Sequence, residues 1–330
     1  MKMKYLWNQF LGDYNYFHRK TKVSNRPEVF IIELTNYCNL RCTMCPRRFM
    51  KRHVGFMDFE LFKNIIDQVK DYNDYVWLAE FGESLFHPKF ETFIKYCANN
   101  GVKTYLSTNA TALNEKNSLE ILNSGLDKIY LCLDGTTKET YEKLRINGQF
   151  EKTKNNIFNF LKLKKKLHRS KPYSVVQIIK MDETEKEIED FKKQWDGLAD
   201  EVWAREFCTW ADQIKDIKKM SREENKYFPF RKKRYPCSLL WRKIVVSWNG
   251  DVVPCCLDFD GKIVLGNAKR ENLEDIWNSK KMVELRKKQI DGDYNNPLCK
   301  KCIEWPGDEK DAFYPFSMKL FKKAKRILVR

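Results

Sequence analysis

The chain contains no run of about 18 apolar residues, which excludes a membrane-spanning helix. It has no secretion signal either. The N-terminal MKMKYLWNQFLGDYNYFHRK interrupts its apolar stretch with Asn8, Gln9 and Asp13, and no small-residue cleavage site follows. Internal repeats and low-complexity linkers are absent as well. What is present is a chain of 330 residues, 42% of them hydrophobic, long enough for one large domain with a smaller one beside it. Its 11 cysteines, without a secretion signal, point to the reducing cytoplasm, where grouped cysteines are metal ligands or redox centres. The net charge of +17 suits an acidic partner such as a phosphate, an acidic peptide, a nucleic acid or an anionic membrane. Charge alone does not choose among these.

Six β-prone runs alternate with helical patterns: 28–35, 75–81, 102–108, 128–134, 173–180 and 200–207. Amphipathic stretches at 59–72, 88–101, 118–125, 150–168 and 185–195, with ETYEKLR between, fill the gaps. Repeated βα units give a parallel sheet with right-handed crossovers. Whether it is an open sheet or a barrel, ligands sit at the carboxyl ends of the strands. After about residue 215 the pattern becomes irregular and rich in cysteine, glycine and proline, which marks a boundary.

TNYCNLRCTMC (35–45) begins where the first strand ends and spaces Cys38, Cys42 and Cys45 by three residues and then two. A structural zinc site needs four ligands, and His53 is spaced unlike a zinc knuckle. Four cysteines saturate a four-iron cube, so three leave one iron open for a ligand.

This pattern resembles the radical S-adenosylmethionine (SAM) superfamily. The resemblance implies that SAM binds the open iron through its amino and carboxylate groups, and that one electron cleaves it to a 5′-deoxyadenosyl radical. Further segments follow in order. EFGESLFHP resembles the family's Gly-Gly-Glu-Pro segment, with Gly82 and Glu83 retained, Phe81 in place of the first glycine and Ser84 in place of proline. LSTNAT resembles its Thr-Asn-Gly segment, which implies Ser107, Thr108 and Asn109 near the SAM ribose, with Ala110 in place of glycine. LDGTTKETYEKLR resembles the segment whose arginine reaches the SAM carboxylate, implying Asp134 and Arg145. Met44 holds the position that lies against adenine. The resemblance spans 28–210 and implies a partial (β/α)6 barrel.

Four more cysteines follow: Cys237, then Cys255 behind an Asn-Gly hairpin, then Cys299 and Cys302 as a CxxC. NLEDIWNSKKMVELRKK reads as an amphipathic helix leading to the CxxC. The set resembles the SPASM extension of radical SAM enzymes in its form with one auxiliary 4Fe–4S cluster. Either Cys255 or Cys256 can be the ligand there, and spacing favours Cys255. A structural zinc site is the plain alternative.

Three candidates lie at the end of the sixth strand, Cys208 with Glu206 and Asp212 flanking it. Cys208 is placed to return a hydrogen atom to a substrate radical, or simply to pack. Glu206 and Asp212 are candidate general bases. Cys97 and Cys132 read as packing residues. FSMKLFKKAKRILVR ends the chain with six basic residues and no acid, a pattern for a docking helix or an anionic membrane surface.

The organisation expected is an N-terminal basic and aromatic extension (1–27), a radical SAM core (28–215), a SPASM domain (216–310) and a basic C-terminal helix (311–330). Only 27 residues precede the first strand, without a winged-helix precursor-binding domain, which favours a small, carbohydrate-like substrate that is oxidised or epimerised. The alternative substrate is a peptide or protein. The expected partners also include a one-electron donor such as flavodoxin or ferredoxin, while nucleic acid is disfavoured. A non-catalytic metal- or nucleic-acid-binding protein is the reading from another class; the open three-cysteine site opposes it.

Overall fold

The computed structural model describes residues 3–222, 224 and 234–305. The expected basic helix at 311–330 lies outside them. Strands β1 (Val29–Ile32), β2 (Tyr75–Trp77), β3 (Lys103–Thr108), β4 (Lys128–Cys132), β5 (Tyr173–Ile179) and β6 (Glu201–Arg205) pair in sequence order, each parallel to the next. Helices α2 (Phe59–Val69), α3 (Phe90–Asn99), α4 (Glu115–Ser124), α5 (Lys138–Leu144), α6 (Phe150–Lys166) and α7 (Ile188–Trp195) supply the crossovers. Side chains that start helices stand where the turns need them. Asp58 accepts from the amides of Glu60 and Leu61, Asn114 from Asn117 and Thr137 from Thr140. The result is the expected partial barrel.

Alternation along the strands sorts side chains into two layers. Phe30, Ile32, Val76, Leu78, Leu106, Ile129, Leu131, Val176 and Ile178 face the helices as one buried core. The other face is the lumen, where Trp77, Tyr105, Tyr130 and Trp203 form a chain of ring contacts.

Two features were not visible in the sequence pattern. The hairpin of β7 (Lys243–Val246) and β8 (Asp251–Val253) forms as expected, with Gly250 at φ +90° in its turn. Yet β7 also pairs parallel to β1, Val29 with Lys243 through Ile32 with Val246, and β9 (Gly266–Asn267) completes a nine-stranded sheet. The sheet therefore runs across the composition change at residue 215. The first 27 residues supply helix α1 (Met3–Phe17), which packs beside this C-terminal part: the Tyr16 hydroxyl donates to the Pro236 carbonyl at 2.7 Å.

The expected single helix before the CxxC is two, α9 (Leu273–Trp277) and α10 (Lys280–Ile290). Asn278 breaks it because its side-chain amide pairs with both backbone groups of Val23, at 3.0 Å each. A short helix, α8 (Lys215–Lys218), lies between β6 and the C-terminal part. Among the described residues no helix is long and apolar enough to cross a membrane.

Candidate active site

β1 delivers the chain to the carboxyl edge of the sheet, and the three-cysteine loop starts there. Its base is closed by the buried Asn36, whose side chain donates to the His53 carbonyl (2.8 Å) and accepts from the Gly55 amide (2.9 Å). Within the loop, the Arg47 guanidinium holds the carbonyls of Cys38 (2.8 Å) and Leu40 (2.9 Å), and the Cys45 amide donates to Cys42 (3.2 Å). Cys38, Cys42 and Cys45 sit in an apolar nest with Met44, Phe81, Leu144, Phe207 and Phe259. Burial pushes all three thiols up, Cys38 to about 11 and Cys45 to about 12. Bare, such thiols stay protonated. A cationic iron core would hold them as thiolates, so this donor set fits a cluster.

The motif residues converge beside the loop. A Cβ on Gly82 would stand 2.0 Å from the Thr35 carbonyl oxygen, so this glycine is sterically obligatory. The flanking departures are accommodated: Phe81 packs on Trp210 and Phe259, and the Ser84 hydroxyl donates to Leu78 (2.6 Å). Glu83 is buried and accepts from the amides of Asn109 (2.6 Å) and Leu85 (3.2 Å). Burial raises its carboxyl above the ordinary range, opposed by those amides, the Thr108 hydroxyl and Arg145. Asn109 also reaches Cys38 Sγ at 3.5 Å, joining this segment to the cysteine loop. Ser107 is half-buried at the end of β3, and Ala110 takes φ +59°, the left-handed conformation that favours glycine.

Arg145 ends α5. Its Nε and one terminal nitrogen both donate to Asp134 Oδ2, at 2.9 and 2.6 Å, and Asp134 Oδ1 accepts from Ile179 at 2.9 Å. Asp134 thus fixes the arginine beside Cys42, which is among the groups acting on its charge. The neighbouring carbonyls of Leu144 and Ile146 take the amides of Thr43 and Arg41 from the cysteine loop.

The second set converges too. Cys237, Cys255, Cys299 and Cys302 line one pocket with Leu239, Leu240, Pro254, Leu257, Leu285 and Leu298. Cys256 is absent from that lining and packs toward the lumen with Ile31, Val245 and Val253. Cys255, the residue the spacing favours, is thus the one at the pocket, and Cys256 stands outside its lining. Among the described residues, no three of His, Cys, Asp and Glu gather tightly enough for a single metal ion. Four thiols around one apolar pocket match the number of ligands that saturates a four-iron cube. Arg286, fully buried over the Trp277 ring, braces this part by donating to the carbonyls of Leu240 (2.9 Å) and Thr21 (3.0 Å).

The stretch after β6 joins the two sets. Trp210, Ala211 and Asp212 are all left-handed (φ +58°, +59°, +55°). The buried Glu304, two residues past Cys302, accepts from the amides of Thr209 and Ala211, and the Trp210 indole donates to the Met44 carbonyl (2.9 Å). Of the three expected catalytic residues, Cys208 lies at this junction, its thiol pushed well up by burial and by Glu304. Glu206 is instead paired with Lys180 at 2.6 Å, and Asp212 is paired with Lys218 on an outer polar groove. Neither acid is brought to the SAM-side motifs. Cys97 is core, as expected, whereas Cys132 faces the lumen and accepts from Gln177 Nε2 at 3.0 Å.

Sequence reasoning missed Glu80. It is half-buried just before Phe81, and its carboxyl is raised well above the usual value. Burial is the main cause, Cys256 and Glu33 add to it, and Lys243 and Arg205 oppose it. It opens the EFGESLFHP segment, but the resemblance attaches no role to that position. The only signal was an acid two residues before Gly82.

A partial parallel barrel with three thiols at its strand ends and four more behind defines an iron–sulfur enzyme. Family models match accordingly: the radical SAM superfamily over residues 32–194 and the SPASM iron–sulfur cluster-binding domain over 237–303. The chain belongs to the radical SAM superfamily and carries a SPASM domain. It binds SAM and a 4Fe–4S cluster in the first part and auxiliary iron–sulfur in the second.

It is similar to the tungsten-containing aldehyde ferredoxin oxidoreductase cofactor-modifying protein of Pyrococcus furiosus, 24% identical over 310 residues (82% of this chain, 86% of the relative). It is also similar to the SAM-dependent 2-deoxy-scyllo-inosamine dehydrogenase of Niallia circulans, 22% identical over 277 residues (82% and 90%). The fold matches Streptococcus suis SuiB bound to its precursor peptide SuiA, with TM-score 0.63, 14% identity and 82% and 69% of the two chains covered.

Proposed function

We propose that this enzyme oxidises a small polyhydroxylated, carbohydrate-like alcohol. One observation carries the reading: Cys255 lines the four-cysteine pocket while the next residue, Cys256, faces the barrel lumen. A one-electron redox centre held by Cys237, Cys255, Cys299 and Cys302 is thereby one residue from the space where substrate sits. Oxidation uses such a centre, whereas a redox-neutral isomerisation does not.

Cys38, Cys42 and Cys45 hold the other cluster. With SAM bound there and one electron from the donor, this site would supply the radical chemistry that removes a hydrogen atom from carbon. Gly82, Glu83, Thr108 and Asn109 form the SAM amino and ribose side of the site, Met44 the adenine side, and Asp134 orients Arg145 toward the carboxylate. Oxidation also requires the alcohol to lose its proton. Glu80 is the acceptor in this reading: it stands half-buried two residues before Gly82, and burial, with Cys256 and Glu33, makes its carboxyl hold a proton more readily than an ordinary one. Cys208 remains the hydrogen donor if the net reaction is an epimerisation. The likeness to the inosamine dehydrogenase supports a cyclitol-like substrate. The basic surface suits an acidic one-electron donor of the flavodoxin or ferredoxin kind.

A peptide substrate is favoured by one observation: an open polar groove lined by Lys262, Asn295, Lys300 and Lys301, suited to an acidic peptide. The deciding experiment incubates reduced, reconstituted enzyme and SAM with a panel of aminocyclitols and, separately, acidic peptides. A cyclitol that raises 5′-deoxyadenosine and loses two hydrogens supports the reading. A modified peptide with every cyclitol inert would overturn it.

A further inference from the structure

Strand β6 ends in a cation that no neighbour neutralises. Val202 and Ala204 pack against the helix-facing core, so alternation turns Trp203 and Arg205 to the lumen. The Trp203 ring meets Tyr130 there at 6.0 Å. Arg205 stands one layer nearer the carboxyl edge. It lies opposite Ile179 in the register, and its carbonyl accepts from the Lys180 amide (2.8 Å). The Ile179 amide is held by Asp134, the residue that orients Arg145. Arg205 is therefore level with the SAM-side motifs, at the strand ends where ligands of such barrels sit.

Cations elsewhere around the barrel are paired. Lys103 meets Asp74 (3.1 Å) and Lys128 meets Glu201 (3.5 Å) near the amino ends of the strands. At the carboxyl ends, Arg52 meets Glu33 (2.8 Å), Arg145 meets Asp134 (2.6 Å) and Lys180 meets Glu206 (2.6 Å). Among the described residues, nothing forms a hydrogen bond or ion pair with the half-buried Arg205 guanidinium. Its charge nonetheless acts on Glu80, Cys132, Cys208 and Cys256, which belong to four separate segments. Strands β2 and β6 are separated by three others in the sheet, so curvature brings Glu80 and Arg205 to one space across the lumen. Glu80 holds its proton more readily than an ordinary carboxyl and is no counter-ion, and the Cys132 sulfur already accepts from Gln177. A cation withdrawn from water is costly unless it is paired. A guanidinium is a planar fork that takes phosphate or carboxylate two bonds at a time.

We infer that Arg205 selects the substrate by an anionic oxygen group, a phosphate or a carboxylate, which supplies the missing counter-charge. Joined to the alcohol oxidation proposed above, on which this part rests, the substrate is a carbohydrate-like alcohol bearing such a group. With the anion on Arg205, the rest of the molecule extends across the lumen toward Glu80. The pair then fixes which hydroxyl-bearing carbon is presented for hydrogen removal. Arg205 acts in specificity and touches no reacting atom. The net charge of +17 draws an anionic substrate toward the protein.

Calorimetric titration of the reconstituted full chain with SAM present tests it, using two pairs of probes: myo-inositol against its 1-phosphate, and glucose against glucuronate. At least one anion is expected to bind about tenfold to a hundredfold more tightly than its neutral parent, and which one does so identifies the group. Arg205→Gln should bring that anion down to its parent. Arg205→Lys should restore only part of the preference, because an ammonium keeps the charge but not the fork. Neither change strands a counter-charge in the fold, since no described residue pairs with Arg205. Equal affinity for anion and parent in both pairs, or no binding of either anion, overturns the inference. So does a preference that survives Arg205→Gln. A SAM affinity that falls as far as the anion affinity in Arg205→Gln overturns it too, because it gives the cation to SAM. The two readings fail separately. Anions held through Arg205 with no alcohol oxidised leave the anion site standing and remove the oxidation. Neutral alcohols oxidised with the same kcat/KM as their anionic counterparts keep the oxidation and remove the anion site.

Discussion

The two thiol sets of this enzyme are assembled in opposite ways. Cys38, Cys42 and Cys45 lie on one loop whose shape comes mostly from its own neighbours, Arg47 capping two carbonyls and Asn36 closing the base. Cys237, Cys255, Cys299 and Cys302 come from distant positions and meet only when the C-terminal part is folded. The Cys237 amide donates to Gln289 Oε1 on α10 (3.0 Å), and the Cys299 amide to Asn296 Oδ1 (2.9 Å). Arg286 fastens the region to the N-terminal extension through Thr21. A local site is a property of a motif; a scattered site is a property of the fold. The two should therefore fail separately.

The largest expected effect breaks the local set. Cys38→Ala, Cys42→Ala or Cys45→Ala is expected to lower 5′-deoxyadenosine to the no-enzyme background while about half of the iron remains. Iron and sulfide analysis beside the product assay checks this. Loss of all iron from a folded variant would show that the two sets are not independent. The scattered set has a matching test. Cys255→Ala should lose the auxiliary iron and keep the first cluster, while Cys256→Ala should keep both. The reverse pattern would mean that the pocket closes around Cys256.

Next comes the buried pair that steadies the local loop from outside. Asp134 is fully buried and Arg145 nearly so. Asp134→Asn leaves the guanidinium without its counter-charge, a change that costs about 3–5 kcal/mol. Because Leu144 and Ile146 flank Arg145 and hold the cysteine loop, SAM affinity should fall with stability. The auxiliary iron should persist. Thermal unfolding and a SAM titration read the two effects.

The same contrast explains what the sequence made legible. The six parallel strands, the cysteine loop and the Gly82–Glu83, Asn109 and Arg145 positions follow from local patterns, and each stands near where its pattern puts it. The pairing of β7 with β1 joins residues more than 200 positions apart, and no local signal encodes it. Helix α1 escaped because its buried face is polar and its exposed face aromatic, the reverse of what periodicity assumes. The break at Asn278 depends on Val23, and the clamp of Glu304 on Thr209 and Ala211 depends on a junction that exists only in the folded chain. Glu206 and Asp212 were chosen for being acids near a strand end. Sequence could not show that Lys180 and Lys218 already neutralise them.

Glu80 sits where the two regions meet, and its effect is smaller and depends on pH. Its carboxyl is raised in the fold, so the folded chain holds that proton to higher pH than the unfolded chain does. Folding is then favoured by Glu80 only at low pH and is increasingly penalised as pH rises above the usual value near 4.5. Glu80→Gln should therefore raise the Tm at pH 8 and leave it nearly unchanged at pH 4. It should also suppress the oxidised product while SAM cleavage continues, which separates a base from a SAM ligand. An unchanged product yield would remove Glu80 from the chemistry.

The smallest effect concerns Ala110, where the family's glycine is missing from the local motif. A non-glycine residue in the left-handed region costs roughly 1–2 kcal/mol. The site offsets part of this: Ala110 is fully buried against the helix-facing core, its amide donates to Thr108 Oγ1 (3.0 Å), and its carbonyl accepts from Asn156 (2.9 Å). Ala110→Gly would relieve the backbone. It would also give up the methyl contact, worth about 0.8 kcal/mol, and add unfolded-state freedom worth about 0.4–1 kcal/mol. These terms nearly cancel, so the expected change in Tm is within a degree or two either way. Ala110→Val has no such offset, since a β-branched residue is a genuine outlier at positive φ and the buried site has no room for added carbon. A Tm for the glycine variant matching the parent, beside a clear loss for valine, would show that the motif requires a backbone conformation rather than glycine itself. A large gain for glycine would mean that the alanine is held in place by strain elsewhere in the SAM-side loops.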